Sequence, residues 1–195
     1  PSMYDLGNFV LEQALWDSKL FLQQNPDFFI NVNVSAKQLE RPDFCRVVLE
    51  LLDKTEFPVR HLCLEITERC RSLPVSVINE RMAVLRGYGI KFAMDDFGTG
   101  SSSSAMALEM LIDEIKIDMS FIRKILVNKK NKAIVQSMVD FANAANIKSC
   151  LEGVENKALE DYLRTVGATW FQGYYYSKPV GADELEILLS NSWKK

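Results

Sequence analysis

Two patterns of apolar residues alternate along the chain. Six short runs are rich in β-branched and aromatic residues: FFINVNVS (28–35), HLCLEITE (61–68), IKFAMDDFG (90–98), EIKIDMSF (114–121), KSCLEGVE (148–155) and ATWFQGYYY (168–176). Each has the length and composition of a strand. Between them the apolar positions recur at helical spacing. In 42–54, Phe44, Val47, Val48, Leu51 and Leu52 share a face, and Pro42 and Asp43 suit a first turn. In 120–145, Phe121, Ile122, Ile125, Ile134, Val135, Met138 and Phe141 do the same, with the NKKNK run (128–132) predicting a break as a solvated loop. LGNFVLEQALWDSKLFL (6–22) reads as a helix ahead of the first strand, and a last helix over 182–193 follows Gly181. No linker or low-complexity tract divides the chain, so one domain over 1–195 is expected.

Strands alternating with helices predict a parallel sheet in an α/β fold. The polar residues sharpen this. Each strand carries its polar group near its C-terminal end: Asn33, Glu65 with Glu68, Asp95 with Asp96, Lys116 with Asp118, Glu152 with Glu155, and Gln172. In an open sheet these ends form a line. In a closed (β/α)8 TIM-type barrel they converge on one mouth, where such barrels keep their chemistry. A complete barrel needs eight strands and about 250 residues. The pattern supplies about six strand–helix units and opens on a helix at Pro1, so the barrel is expected to be incomplete at its N-terminus. Open strand edges in such a barrel predict self-association, such as a homodimer, or a non-native N-terminal arrangement.

Composition narrows the chemistry. With 48% hydrophobic and 25% charged residues over 195 positions, the chain can bury a core, and no apolar run approaches the length of a membrane span. A net charge of −3 argues against a nucleic-acid polymer as partner, leaving a small phosphorylated ligand open. The four cysteines, Cys45, Cys63, Cys70 and Cys150, lack metal-ligand spacing and read as reduced, cytosolic thiols. The single histidine, His61, excludes histidine-rich metal sites and reads as a strand-edge residue. Hydrolytic chemistry here must run on carboxylates, lysine or metal.

The adjacent Asp95 and Asp96 then stand out. Side-by-side carboxylates need a cation, a shared proton or open water. A solvated turn or helix N-cap satisfies them as well as a metal does, and both readings stay open on these residues alone. If they hold metal, all-oxygen ligation favours Mg²⁺ or Mn²⁺ over zinc, and neighbouring aspartates can serve two ions. Gly98 and Gly100 let the chain bend beside the pair. Lys116 either assists a reaction or simply neutralises the acidic mouth. Tyr174, Tyr175 and Tyr176 offer rim packing or a base-stacking ring.

NVNVSAKQL, LEITE, DDFGTG, KIDMSF, LEGVEN and QGYYYSKP, in this order and spacing, resemble the EAL-domain cyclic-di-GMP phosphodiesterases, from about residue 4 to 190. The resemblance implies a (β/α)8-type barrel in the bacterial cytoplasm that hydrolyses cyclic di-GMP to linear pGpG by a two-metal mechanism with Mg²⁺ or Mn²⁺. It implies Asn33 and Glu65 as ligands of one ion, Asp95 shared by both, and Asp96 and Glu152 on the second. By the same likeness Lys116 positions or activates the attacking water, Gln172 joins the metal-water network, Glu155 supports the ligands, and Glu68 steadies the loop after DDFG.

Two departures qualify the likeness. The family's Glu-Ala-Leu motif, whose Glu is a ligand, is absent together with a nearby phosphate-gripping arginine; EQAL (12–15) is helical and is not that motif. After DDFGTG the chain reads SSSS where the family usually has YSSL, with Ser101 and Ser104 replacing larger residues. That loop couples dimer contacts to metal binding in the family. A catalytically inactive domain that binds cyclic di-GMP or a protein partner is the alternative, and it has no need to keep all these polar groups. An unrelated metal-dependent barrel, such as an enolising enzyme, explains the acids and lysine but not six motifs in order.

Overall fold

All six predicted strands form. A computed structural model describes residues 3–67, 73–100 and 103–192. Glu68, Cys70 and Ser101 lie outside the described residues. In chain order the elements are α1 (Met3–Gln24), β1 (Ile30–Asn33), α2 (Ala36–Leu39), α3 (Phe44–Thr55), β2 (Leu62–Thr67), α4 (Val75–Gly87), β3 (Lys91–Phe97), α5 (Ser103–Glu109), β4 (Glu114–Ile117), α6 (Met119–Ile122), α7 (Lys129–Ala144), β5 (Lys148–Glu152), α8 (Lys157–Leu163), β6 (Trp170–Gln172) and α9 (Ala182–Ser192). They form two compact units, Pro1–Phe92 with Pro179–Lys195, and Ala93–Lys178.

In the first unit β1 and β2 pair in parallel, with Ile30 opposite Leu62 and Asn33 opposite Glu65. α1 packs on α3, on α9 and on β1. Its buried residues Leu11, Leu15, Ser18 and Phe21 return every three to four positions, so one face of the helix enters the core. Phe44, Val48 and Leu52 do the same for α3. α2 starts in a capping box: Ser35 accepts from the Gln38 N–H, and the Gln38 side chain takes up the Ser35 N–H at 3.1 Å.

In the second unit β3, β4, β5 and β6 pair in parallel in that order. β4 is buried along its whole length, as expected for a strand covered on both faces. α7 packs on β4 and β5 and buries Val135, Val139 and Ala142.

Three local predictions need correction. The NKKNK run is not a loop. Asn128 caps α7, its side chain accepting from the backbone N–H groups of Lys130 and Asn131, so the lysines become the helix's first turn. A basic first turn opposes the helix dipole, but capping two orphan donors outweighs a solvated charge effect of a few tenths of a kcal/mol, about what exposed dipole terms supply. Asp118 likewise leaves the strand to cap α6, accepting from Ser120 N–H at 2.9 Å. Finally, Glu155 lies beyond the end of β5, and the three tyrosines lie beyond the end of β6, in a turn.

Candidate active site

The C-terminal ends of β3, β4 and β5 bring three charged side chains together. β3 carries an irregularity there: Met94 lies opposite Ile115 and Phe97 opposite Ile117, so three steps along β3 match two along β4. The extra residue falls at Asp95–Asp96, opposite Lys116. A bulge of this kind re-aims side chains at a strand end. Asp96 takes up the turn at φ +55°, a left-handed conformation that aspartate tolerates better than most residues. Gly98 follows at φ +95°, and a Cβ there would come within 2.5 Å of Met138 Cε. Thr99 closes the turn, donating from both its N–H (3.2 Å) and Oγ1 (2.9 Å) to the Asp96 carbonyl.

Lys116 is 5% exposed. Its ammonium lies 2.9 Å from Glu152 Oε1 and 3.5 Å from Asp95 Oδ1. β5 holds Glu152 in place by pairing with β4 on one side and β6 on the other, which sets Gln172 directly opposite Glu152. The segment after β6 is stitched to the segment after β5. Val154 N–H donates to the Gln172 carbonyl at 3.0 Å, and Tyr175 N–H donates to the Val154 carbonyl at 2.9 Å. Gly173 permits this, because a Cβ there would sit 2.1 Å from the Val154 carbonyl oxygen.

Farther out, Tyr176 donates to Glu160 Oε1 at 3.3 Å, and Arg164 grips the same oxygen through Nε (3.0 Å) and Nη2 (2.6 Å). Burial, then the neighbouring Glu160 charge, pushes the Tyr176 phenol up to about 12. This tyrosine anchors its loop. Tyr174 is 62% exposed and is the ring of the three most open to solvent. Glu155 is exposed, with Arg123 Nε 4.0 Å away, and is not gathered with Lys116 and Glu152.

The first unit holds the other predicted ligands. Asn33 ends β1, and Glu65, 4% exposed, lies opposite it on β2. A residue the sequence reasoning overlooked belongs here. Asn31 donates from Nδ2 to Glu65 Oε1 at 2.8 Å. The signal for it was the N-V-N alternation of β1, which sets Asn31 and Asn33 on one face. His61 has a structural part: Nδ1 contacts the Phe28 carbonyl at 2.6 Å, and Arg60 Nε lies 3.0 Å from Nε2. Among the described residues Cys45, Cys63 and Cys150 form no disulfide.

Among the described residues no three carboxylate, thiol or imidazole groups converge as a preformed cage. Asp95 and Glu152 are instead drawn onto the Lys116 ammonium. The donor chemistry nevertheless suits a hard divalent cation: the acids supply oxygen only, and the Asn31 Oδ1 acceptor is buried without a hydrogen-bond partner. Magnesium-like ions are the class such a set accommodates.

A family model described as EAL domain matches residues 2–179. The chain belongs to the EAL domain family. Its sequence is 36% identical over 167 residues to the probable cyclic di-GMP phosphodiesterase PdeG of Escherichia coli K12, covering 84% of this chain and 32% of that protein. Identity is 31% over 175 residues to the cyclic di-GMP phosphodiesterase PdeA of Borreliella burgdorferi, covering 90% of this chain and 26% of PdeA. Among solved structures, the EAL enzyme Bd1971 in its cAMP- and cyclic-di-GMP-bound form matches with a TM-score of 0.91 and 33% identity, over 97% of this chain and 53% of that one. The EAL domain of Mycobacterium smegmatis DcpA matches at 0.90 with 29% identity, over 95% of this chain and 84% of its own. These likenesses set the fold of this EAL domain as α/β, in the (β/α)8 barrel class. It spans about a quarter of the length of the curated relatives it matches.

Proposed function

We propose that this EAL domain is a cytoplasmic phosphodiesterase that hydrolyses one phosphodiester bond of cyclic di-GMP to give linear pGpG. The observation that carries the reading is the Lys116 ammonium set between Asp95 and Glu152 at the C-terminal ends of β3, β4 and β5. The relatives named as cyclic di-GMP phosphodiesterases support the substrate class.

In this reading Asn33, Glu65, Asp95, Asp96 and Glu152 hold two Mg²⁺ or Mn²⁺ ions. When bound, such ions offset charge on the phosphoryl oxygens and make water a stronger nucleophile at neutral pH. Lys116 holds the attacking water against the phosphate and offsets charge that develops on it. One water adds to phosphorus, the P–O3′ bond breaks, and O3′ leaves with a proton. Gln172, beside Glu152 in register, orders the surrounding water, and Glu68 steadies the loop after β3. Burial of Lys116 keeps bulk water from competing for its donors.

A product assay tests this. The chain is incubated with cyclic di-GMP and Mn²⁺, and the nucleotides are resolved by chromatography beside an Asp95→Ala control. Appearance of pGpG that the control lacks is expected. Stoichiometric binding of cyclic di-GMP with no pGpG would replace the proposal with a receptor.

A further inference from the structure

We infer that Asn31 is a further positioning residue of this site, one that aims the Glu65 carboxylate and presents its own carbonyl oxygen to the hydration shell of a bound divalent cation. The inference rests on the reading of Glu65 as a metal ligand. Two observations carry it. Asn31 Nδ2 donates to Glu65 Oε1 at 2.8 Å, and Asn31 Oδ1 is buried with no hydrogen-bond partner.

The orientation of the amide is fixed by chemistry. Rotating it by half a turn would bring Oδ1 against an acidic oxygen, acceptor on acceptor, so the donor end belongs on Glu65. That leaves Oδ1 short of a donor in a place bulk water does not reach. Buried acceptors without partners are uncommon, and each one calls for an account. A purely structural residue gives none, since an apolar side chain on this face would fill the space without an orphaned oxygen. A cation's water, with two hydrogens to give, would supply the missing donor. Asn31 also sits two residues before Asn33, whose Cα register partner is Glu65, so the three residues form one polar patch across β1 and β2.

Partners of this kind, which orient a ligand without touching the ion, typically change metal affinity 10–100-fold when removed. The test is isothermal titration of the full chain with MnCl₂ alone, together with thermal unfolding in EDTA. Variants are Asn31→Ala, Asn31→Thr and Glu65→Gln. For both Asn31 variants we expect the Mn²⁺ dissociation constant to rise roughly tenfold or more. Their melting temperature in EDTA should fall modestly, because Glu65 loses a donor even as the orphaned oxygen is removed. A purely structural residue would show that fall with unchanged Mn²⁺ affinity, which overturns the inference. Glu65→Gln separates the layers. If it weakens Mn²⁺ binding and the Asn31 variants do not, only the role of Asn31 falls. If Glu65→Gln also leaves Mn²⁺ affinity unchanged, the ligand reading falls and the inference with it.

Discussion

Replacing Lys116 by methionine removes the cation that Asp95 and Glu152 share while keeping the length and apolar stem of the side chain. At an effective dielectric constant of about 20, an ammonium at these separations attracts each carboxylate by about 5 kcal/mol before desolvation is counted. Most of that is cancelled by the cost of burying the charges, so the pair itself contributes little. Deleting one partner is different, because the cost of the remaining buried charges stays. Such deletions cost about 3–5 kcal/mol. Asp95 and Glu152 keep 18% and 16% of their side-chain surface exposed, which sets the loss at the lower end, about 3 kcal/mol. For a chain of this size that corresponds to a fall of about 6–12 °C in melting temperature. The assay is thermal and urea unfolding in EDTA at neutral pH. Adding Glu152→Gln to Lys116→Met should restore part of the loss, since one uncompensated charge is then removed. A fall below about 1 kcal/mol in the single variant, or a double variant less stable than the single, would refute the ion-pair reasoning.

Gly173→Ala drives a Cβ into the Val154 backbone and should cost about 1–3 kcal/mol, read as a lower urea midpoint, with turnover falling as Gln172 shifts. Tyr176 should ionise late in a spectrophotometric titration, near pH 12, and Tyr176→Phe should abolish that late step. Because its folded value lies above its unfolded value, its contribution to stability is intact below about pH 10 and is lost as pH rises toward 12. Asp96→Asn keeps a residue suited to the left-handed backbone but removes the charge, so melting should move by less than about 3 °C while turnover falls roughly 100-fold or more.

The order of elements was legible because burial writes itself into pattern. β2 is an apolar run broken by Glu65 before it ends on Thr67, β4 alternates Glu114 and Lys116 with two isoleucines, and α3 shows its core face at helical spacing. Strand ends were harder. Apolar character continues past β4 into Met119–Ile122, but the Asp118 side chain captures a backbone N–H and turns the chain into a helix. The lysine run misled for the same reason: charge suggests solvent, whereas Asn128 decides the conformation. Within the site, the strand-end position of Asp95, Lys116 and Glu152 was readable from spacing. The bulge that sets both aspartates opposite Lys116 was not, since a one-residue register slip depends on the partner strand. Glu160 was invisible in sequence because its value lies in a tertiary bond to Tyr176, sixteen residues away.

The measurement closest to the central claim is hydrolysis of cyclic di-GMP in ¹⁸O-labelled water with Mn²⁺, followed by mass spectrometry of the product. The account predicts pGpG carrying one ¹⁸O on its 5′-phosphate, with none formed by Asp95→Ala. Unchanged cyclic di-GMP, or a product whose phosphate carries no label, would contradict it.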